Sequence, residues 1–301
     1  MRSFLLSITL CALTLGFVAC PNSCGAKKSA ASTGAKQVKT FPSLDFGTLD
    51  SAKQEAFANI VNAEICPCGC AKTFAECLAP GAHCEPAKVF AQWIIRMLAE
   101  DVPADKLAVV VSHEITDGFA AKPAHIETQG FGTKGSDNAK NVIVEFADFQ
   151  CTHCKAATEE LNKYVHKKEA DIMLVYKHFP LHDVHDMAKK SALAVEAAGH
   201  QGKFWDMHMA IFMNQTRLSD KLINELAKEV GLKLSQFEKD LKSPAIAARV
   251  EQSIEEGKRL GIHSTPAIFI NGRPFHLAVN EYNLSTRLAM ENARSQMKCD
   301  P

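Results

Sequence analysis

Apolar residues recur at helical spacing early in the chain. Leu49, Ala52, Ala56, Phe57, Ile60, Val61 and Ile65 predict an amphipathic helix from Leu49 to Glu64. Asp50 or Ser51 can cap its start. Val89, Phe90, Trp93, Ile94 and Met97 predict a second helix over Pro86–Glu100. Pro103 suits the first turn of a third, which runs to about Glu114 with Leu107, Val110 and Val111 buried. Gly130–Asp137 is a loop by composition. The pattern then changes. Asn141–Phe146 is β-branched and apolar and predicts a strand. A helical stretch follows to about Lys168 with Ala157, Leu161, Tyr164 and Val165 on one face, and Asp171–Tyr176 is a second strand, which opens a βαβ unit. Farther on, the spacing of Ala192 and Val195, then Phe204, Trp205, His208, Ile211 and Phe212, then Leu222 and Leu226, then Phe237 and Leu241 predicts several short helices. Near the end, Pro266 opens a strand that runs into Asn271-Gly272, a strong hairpin signal. The Thr265–Pro266 bond in this tight place is a candidate for the cis form.

The length, 301 residues, allows about two domains. The apolar share of 47% and charged share of 23% exclude a disordered chain, a collagen-like repeat and a multi-span membrane protein. Lys plus Arg and Asp plus Glu are both 34, so there is no basic excess or stripe, and nucleic acid is set aside as a partner. No internal repeat is visible.

The first residues read as an address. Arg2 precedes an apolar run from Phe4 to Val18, too short to span a membrane, which predicts a signal peptide over 1–19. Phe17-Val18-Ala19-Cys20 resembles the lipobox of bacterial lipoproteins, with Phe17 where the pattern prefers Leu. That resemblance implies lipidation of Cys20 and a membrane anchor; the alternative is plain cleavage near Ala19. Either way the chain leaves the cytosol for the periplasm or cell surface, where disulfides persist. Residues 20–48 are Lys-, Ser-, Ala- and Gly-rich and predict a flexible tether containing Cys24.

Five of the 11 cysteines fall at Cys66, Cys68, Cys70, Cys77 and Cys84, in a turn between helices within residues 49–121. Structural disulfides suit a small exported helical domain, with Cys299 or Cys24 completing the odd count. A zinc site that includes His83 is the second reading, although Cys-x-Cys-x-Cys is tight for zinc spacing. A second redox centre is the third. The arrangement over Leu49–Phe119 resembles the thiol domain of the CcmH family, but lacks that family's Cys-x-x-Cys.

The sharpest chemistry is Cys151-Thr152-His153-Cys154 where the first long strand meets its helix. Unsatisfied N–H groups and about half a positive charge at a helix start stabilise an anion. A thiolate there has its pKa lowered from about 8.5 to between ~3.5 and ~7.5. Stabilising the thiolate stabilises the reduced form, which makes the disulfide a stronger oxidant. His153 can add charge or a hydrogen bond. His113-Glu114 begins like a zinc-protease motif, but Asp117 stands where the second His belongs, and that reading is rejected.

Val142–Cys154, Phe179-Pro180-Leu181 with His185, and Ser264-Thr265-Pro266 with its Asn-Gly hairpin together resemble the DsbA family of thiol–disulfide oxidoreductases, over residues 130–299. The resemblance implies an α/β, thioredoxin-like fold with a helical insertion at Asp186–Gly257, behind a small all-α Cys-rich domain. It implies Cys151 as the attacking thiol, Cys154 as the buried resolving thiol and His153 as a tuner of Cys151. It also implies a cis Pro266 and the Thr265 backbone opposite the sulfurs. Glu145 would be a buried acid that aids proton transfer; the plainer reading is a paired strand carboxylate. Met207, Met209 and Met213 read as helix packing rather than a copper site, and His178, His182 and His185 likewise form no metal set. No cofactor or metal is needed. The expected partners are exported thiol or disulfide proteins and a quinone-linked membrane protein that reoxidises the pair. Oxidation is the favoured direction. Thr before the proline also occurs in members that reduce or isomerise disulfides, so a reductase, as in cytochrome c maturation, is the alternative. A metal- or partner-binding lipoprotein without enzymatic activity is the reading from another class.

Overall fold

In a computed structural model, residues 37–294 are described; the leader at 1–19, Cys20, Cys24 and Cys299 lie outside the described residues. Helix α1 (Ser51–Ala63) starts at Asp50, whose carboxylate accepts from the Lys53 N–H at 2.8 Å. Helix α2 (Glu85–Ala99) carries Pro86 in its first turn and buries Phe90, Trp93 and Ile94. Helix α3 (Ala104–His113) follows Pro103 and runs on into a π-helical turn at Glu114–Phe119. Leu107, Val111, Ile115 and Phe119 form its buried stripe. That stripe advances in steps of four, so Val110 is left at its edge and is exposed, contrary to the sequence expectation.

The tether ends earlier than its composition suggests. Phe41 is buried, and the rings of Phe41 and Phe46 meet Phe57 edge-on at 5.3 and 5.2 Å. The side-chain amide of Asn62 pairs with both the N–H and the C=O of Val38, each at 2.9 Å. Aromatic burial therefore docks residues 38–48 on α1, in place of the flexible chain expected there.

The sheet contains β1 (Gly132–Gly135), β2 (Asn141–Ala147), β3 (Ile172–His178), β4 (Ala267–Ile270) and β5 (Arg273–Phe275), in the order β1-β3-β2-β4-β5. Strands β2 and β3 are parallel, joined through α4 (Thr152–Lys167); the other pairings are antiparallel. Strand β1 lies in the segment read as a loop. It is an edge strand of Gly, Thr and Lys held by its ladder to β3, so no apolar alternation marks it. Asn271 and Gly272 turn β4 into β5 with φ of 51° and 77°. At Gly272 a Cβ would also sit 2.4 Å from the Ala124 carbonyl oxygen. Helices α5 (Ala188–Gly199), α6 (Phe204–Met213), α7 (Asp220–Glu229), α8 (Leu234–Asp240) and α9 (Pro244–Arg259) fill the span between β3 and β4, and α10 (Glu281–Asn292) closes the fold.

Alternation along the strands separates two faces. Val144, Phe146 and Val175 pack with Phe131, Phe179 and Phe269. Ile143 and Leu174 pack on the opposite face with Leu161 and Val165 of α4 and with Leu284 and Leu288 of α10. That second cluster continues without a break into Phe57, Phe90, Trp93 and Leu107. The Cys-rich helical segment thus shares one core with the sheet rather than having its own. Polar contacts seal the joint. The Trp93 indole N–H donates to Asn283 Oδ1 at 2.7 Å, and the fully buried Arg287 of α10 pairs with Glu114 and, at 3.2 Å, with Glu291.

Candidate active site

Strand β2 ends at Ala147, and Asp148-Phe149-Gln150 turns the chain so that Cys151 becomes the N-cap of α4. Its sulfur accepts from the Cys154 N–H at 3.4 Å. Across from it, the cis Thr265–Pro266 peptide brings the Thr265 carbonyl oxygen within 3.4 Å of Cys151 Sγ, a contact in which Cys151 donates only when protonated. The Thr265 hydroxyl is buried and has no other protein partner. Cys154 is fully buried, and its sulfur accepts from the Asp148 N–H at 3.5 Å. Cys151 and Cys154 are the free thiols among the described residues.

These surroundings split the two thiols. Hydrogen bonding from the Cys154 thiol, then from Thr265 and the N–H groups of Cys154 and His153, outweighs burial and lowers the Cys151 pKa to about 5. Burial, reinforced by the neighbouring Cys151, pushes Cys154 far up. Cys151 is thus the thiolate at neutral pH and Cys154 the protonated partner. The His153 side chain is exposed, and its backbone N–H is among the donors that lower Cys151.

Glu145 is buried on β2, in register with Tyr176 on one side and Ile268 on the other. The Thr158 hydroxyl donates to its Oε1 at 2.9 Å. Burial raises its pKa to about 8, against the lowering effect of that bond. Among the described residues no cation pairs with it.

Asp148 and Gln215 belong to the site and were not singled out from the sequence. Asp148 is buried, and Oδ2 accepts from the Leu181 N–H at 2.7 Å and faces His185 Nδ1 at 2.8 Å. Oδ1 accepts from the Gln150 N–H at 2.7 Å. Asp148 thereby ties the approach to Cys151 to the Phe179-Pro180-Leu181 loop. A signal was available: an acid directly after an apolar strand, three residues before the first Cys. Gln215, from the turn after α6, donates to the carbonyls of Phe149 and Cys151 at 3.0 and 3.1 Å. Nothing local marks it. Beside Pro266 lies a groove of about 260 Å³ lined by His263, Ser264, Ile268, Phe275 and His276.

The remaining candidates are dispersed. His178 pairs with Glu196 at 2.9 Å in the core, whereas His182 lies outside beside Asp183. Met207 is buried and Met213 exposed. His113 pairs with Asp117 at 3.0 Å, and Glu114 is taken by Arg287.

The pairing left open by the sequence is Cys66–Cys77 and Cys68–Cys84, and Cys70 is disulfide-bonded as well. The sulfurs of Cys66, Cys68 and Cys84, and those of Cys66, Cys70 and Cys77, each gather within 4.8 Å. Their engagement in disulfides takes them out of the zinc set considered from spacing.

A family model described as thioredoxin matches residues 128–288. Curated relatives include the Na(+)/H(+) antiporter NhaA 1 of Salinispora arenicola, 27% identical over 68% of this chain and 31% of that protein, and the antiporter NhaA of Herminiimonas arsenicoxydans, 34% identical over 46% and 22%. The chain spans less than a third of the length of these relatives, and among the described residues no helix is long and apolar enough to cross a membrane. Similar solved structures include oxidised BdbD of Bacillus subtilis, 21% identical over 57% of this chain and 98% of that one with a TM-score of 0.50. Another is a thioredoxin-like oxidoreductase of Silicibacter pomeroyi, 26% identical over 56% and 94% with a TM-score of 0.48. The likeness to BdbD is one of fold.

Proposed function

We propose that this chain, which belongs to the thioredoxin family, is an exported thiol–disulfide oxidoreductase that oxidises the thiols of other exported proteins through a Cys151–Cys154 disulfide. The observation that carries the direction is the placement of Cys151 Sγ at the N-terminus of α4, where it accepts from the Cys154 N–H at 3.4 Å, a setting that lowers its pKa to about 5. A stabilised thiolate stabilises the reduced pair, so the oxidised pair gives up its disulfide readily.

A substrate thiolate attacks the Cys151 sulfur. The Cys151–Cys154 bond breaks, and a mixed disulfide forms at Cys151. Cys154 leaves as a thiolate and takes a proton, for which the buried Glu145 carboxyl, protonated up to about pH 8, is the assigned donor. A second substrate thiolate then attacks the substrate sulfur of the mixed disulfide and expels Cys151, the better leaving group because of its low pKa. The substrate gains a disulfide, and two electrons remain on the Cys151–Cys154 dithiol. A quinone-linked membrane partner would reoxidise it. The Thr265 backbone beside Cys151 is assigned to pair an extended substrate, with the groove beside Pro266 taking the flanking residues. The apolar run from Phe4 to Val18, the lipobox-like Phe17-Val18-Ala19-Cys20 and disulfides that suit an oxidising compartment support a protein outside the cytosol, anchored through Cys20.

The test is the reduction potential of the pair in the full chain, equilibrated against glutathione and read by alkylation of Cys151. The scale runs from ~−270 mV for a thioredoxin-like reductant to ~−120 mV for a strong disulfide oxidant. The expected value lies in the oxidising half of that range. A value at the thioredoxin end would make the chain a reductase.

A further inference from the structure

We propose that the cysteine cluster at 66–84 is a second thiol–disulfide exchange centre, which works by interchange between its two touching disulfides. The sulfurs of Cys66 and Cys84 belong to different disulfides, yet they lie 3.7 Å apart, at van der Waals contact. A pocket of about 30 Å³, lined by Cys70, Lys72, Glu76, Cys77, His83 and Cys84, opens on the cluster and has room for one small group. It offers an outside thiolate a way to Cys77, and Lys72 and His83 at its wall suit an approaching anion.

The sequence of bonds follows from this contact. One thiolate of an outside dithiol attacks the Cys77 sulfur, and the Cys66–Cys77 bond breaks with Cys66 as the leaving thiolate. The second thiol of the dithiol then displaces Cys77, so the dithiol is oxidised to a disulfide and Cys66 and Cys77 hold the two electrons. Cys66 is now free to turn into line with the neighbouring disulfide. It attacks Cys84, the Cys68–Cys84 bond breaks, and Cys68 leaves as a thiolate that takes a proton. This step moves no net electrons. It transfers the free thiol from Cys66, fully buried, to Cys68, the most exposed of the four at 7%. Moving ionisable sulfur towards water favours that direction. The cluster thus receives reducing equivalents at Cys77 and presents them at Cys68.

The test uses the full chain with Cys151→Ser and Cys154→Ser, so its outcome does not depend on the activity proposed for that pair. The folded protein meets one equivalent of dithiothreitol and is quenched in acid. Free thiols are blocked with light N-ethylmaleimide; the remaining disulfides are then reduced and blocked with the heavy reagent. Fragmentation of the tryptic peptides locates each label. Light label on Cys77 and Cys68 in matching yield, with heavy label on Cys66 and Cys84, is the expected result. Light label on Cys77 with Cys66, or on Cys68 with Cys84, means that one disulfide merely opened, and overturns the proposal. So does a cluster that takes no light label until the protein is unfolded. The wild-type chain, read at the same four positions, guards against a folding defect in the variant.

Discussion

The turn at 66–84 and the start of α4 both hold cysteines in largely buried positions, yet their chemistry differs because of what the backbone does around them. In the turn, sulfurs meet other sulfurs, and Cys66–Cys77 and Cys68–Cys84 are bonded. At α4 the sulfur of Cys151 meets N–H groups and a hydroxyl, and it stands as a thiolate with a pKa of about 5. Burial alone does not decide reactivity. What decides it is whether the donors that face the sulfur outweigh burial: at Cys151 they do, whereas at Cys154, despite the Asp148 N–H, burial prevails and pushes the thiol up.

The comparison breaks most sharply at Cys151. Cys151→Ser should abolish oxidation of a dithiol peptide, with a loss of more than ~10³-fold, about the scale for removing a nucleophile. Cys66→Ser with Cys77→Ser should retain most of that turnover. If the double variant loses turnover as fully as Cys151→Ser does, the two regions are not separate in function.

The shared core gives the next effect. Phe57 is fully buried in α1, and Phe57→Ala should cost about 3–5 kcal/mol in urea unfolding. Because its cluster continues into the sheet, tryptophan fluorescence and far-UV dichroism should report one coincident transition. Separate transitions would restore an independent helical domain. Removal of the Cys66–Cys77 bond, which closes a short loop with a sequence separation of 11, should cost about 3 kcal/mol in the same assay.

Glu145 adds a pH dependence of opposite sign to that of a salt-bridged acid. Its folded-state pKa is raised to about 8, so between its ordinary value and pH 8 the folded state binds the extra proton. Stability therefore falls as pH rises through that window, by about 1.4 kcal/mol per unit at most. Glu145→Gln should flatten this slope when unfolding is followed from pH 5 to pH 8.

The smallest effect is expected at His153. Its side chain is exposed, and its help to Cys151 comes through the backbone. His153→Ala should shift the midpoint of Cys151 alkylation by iodoacetamide by less than ~0.5 pH unit, within the range of exposed groups screened by solvent. That midpoint itself should lie near pH 5. A large shift would return the imidazole to the role first expected of it.

Much of the site could be read directly. A β-branched run, a Cys-x-x-Cys and a helical stripe place Cys151 at a helix start, and Thr265-Pro266 before an Asn-Gly hairpin marks the loop that faces it. These are local signals, each carried within a few residues. Asp148 was missed because its partners, Leu181 and His185, come from a distant loop. Gln215 was missed because its acceptors are carbonyls of another element, and carbonyls leave no mark in a sequence. Strand β1 escaped because an edge strand is held by backbone bonds rather than by an apolar pattern.

By itself, the sequence determined most of the elements and the position of the reactive pair, since periodicity, capping and turn chemistry act over short spans of chain; the thioredoxin-like fold class came from the resemblance of its motifs to a known family. The tertiary structure alone decided which cysteines pair, that Cys66 and Cys84 touch, and that α1–α3 share the core of the sheet. It also decided that Glu145 is buried with the Thr158 hydroxyl as its donor and, among the described residues, no cation beside it. Each of these depends on atoms brought together from far apart in the chain, and the energy of a contact or a buried charge is set by that distance and surrounding, not by the order of residues.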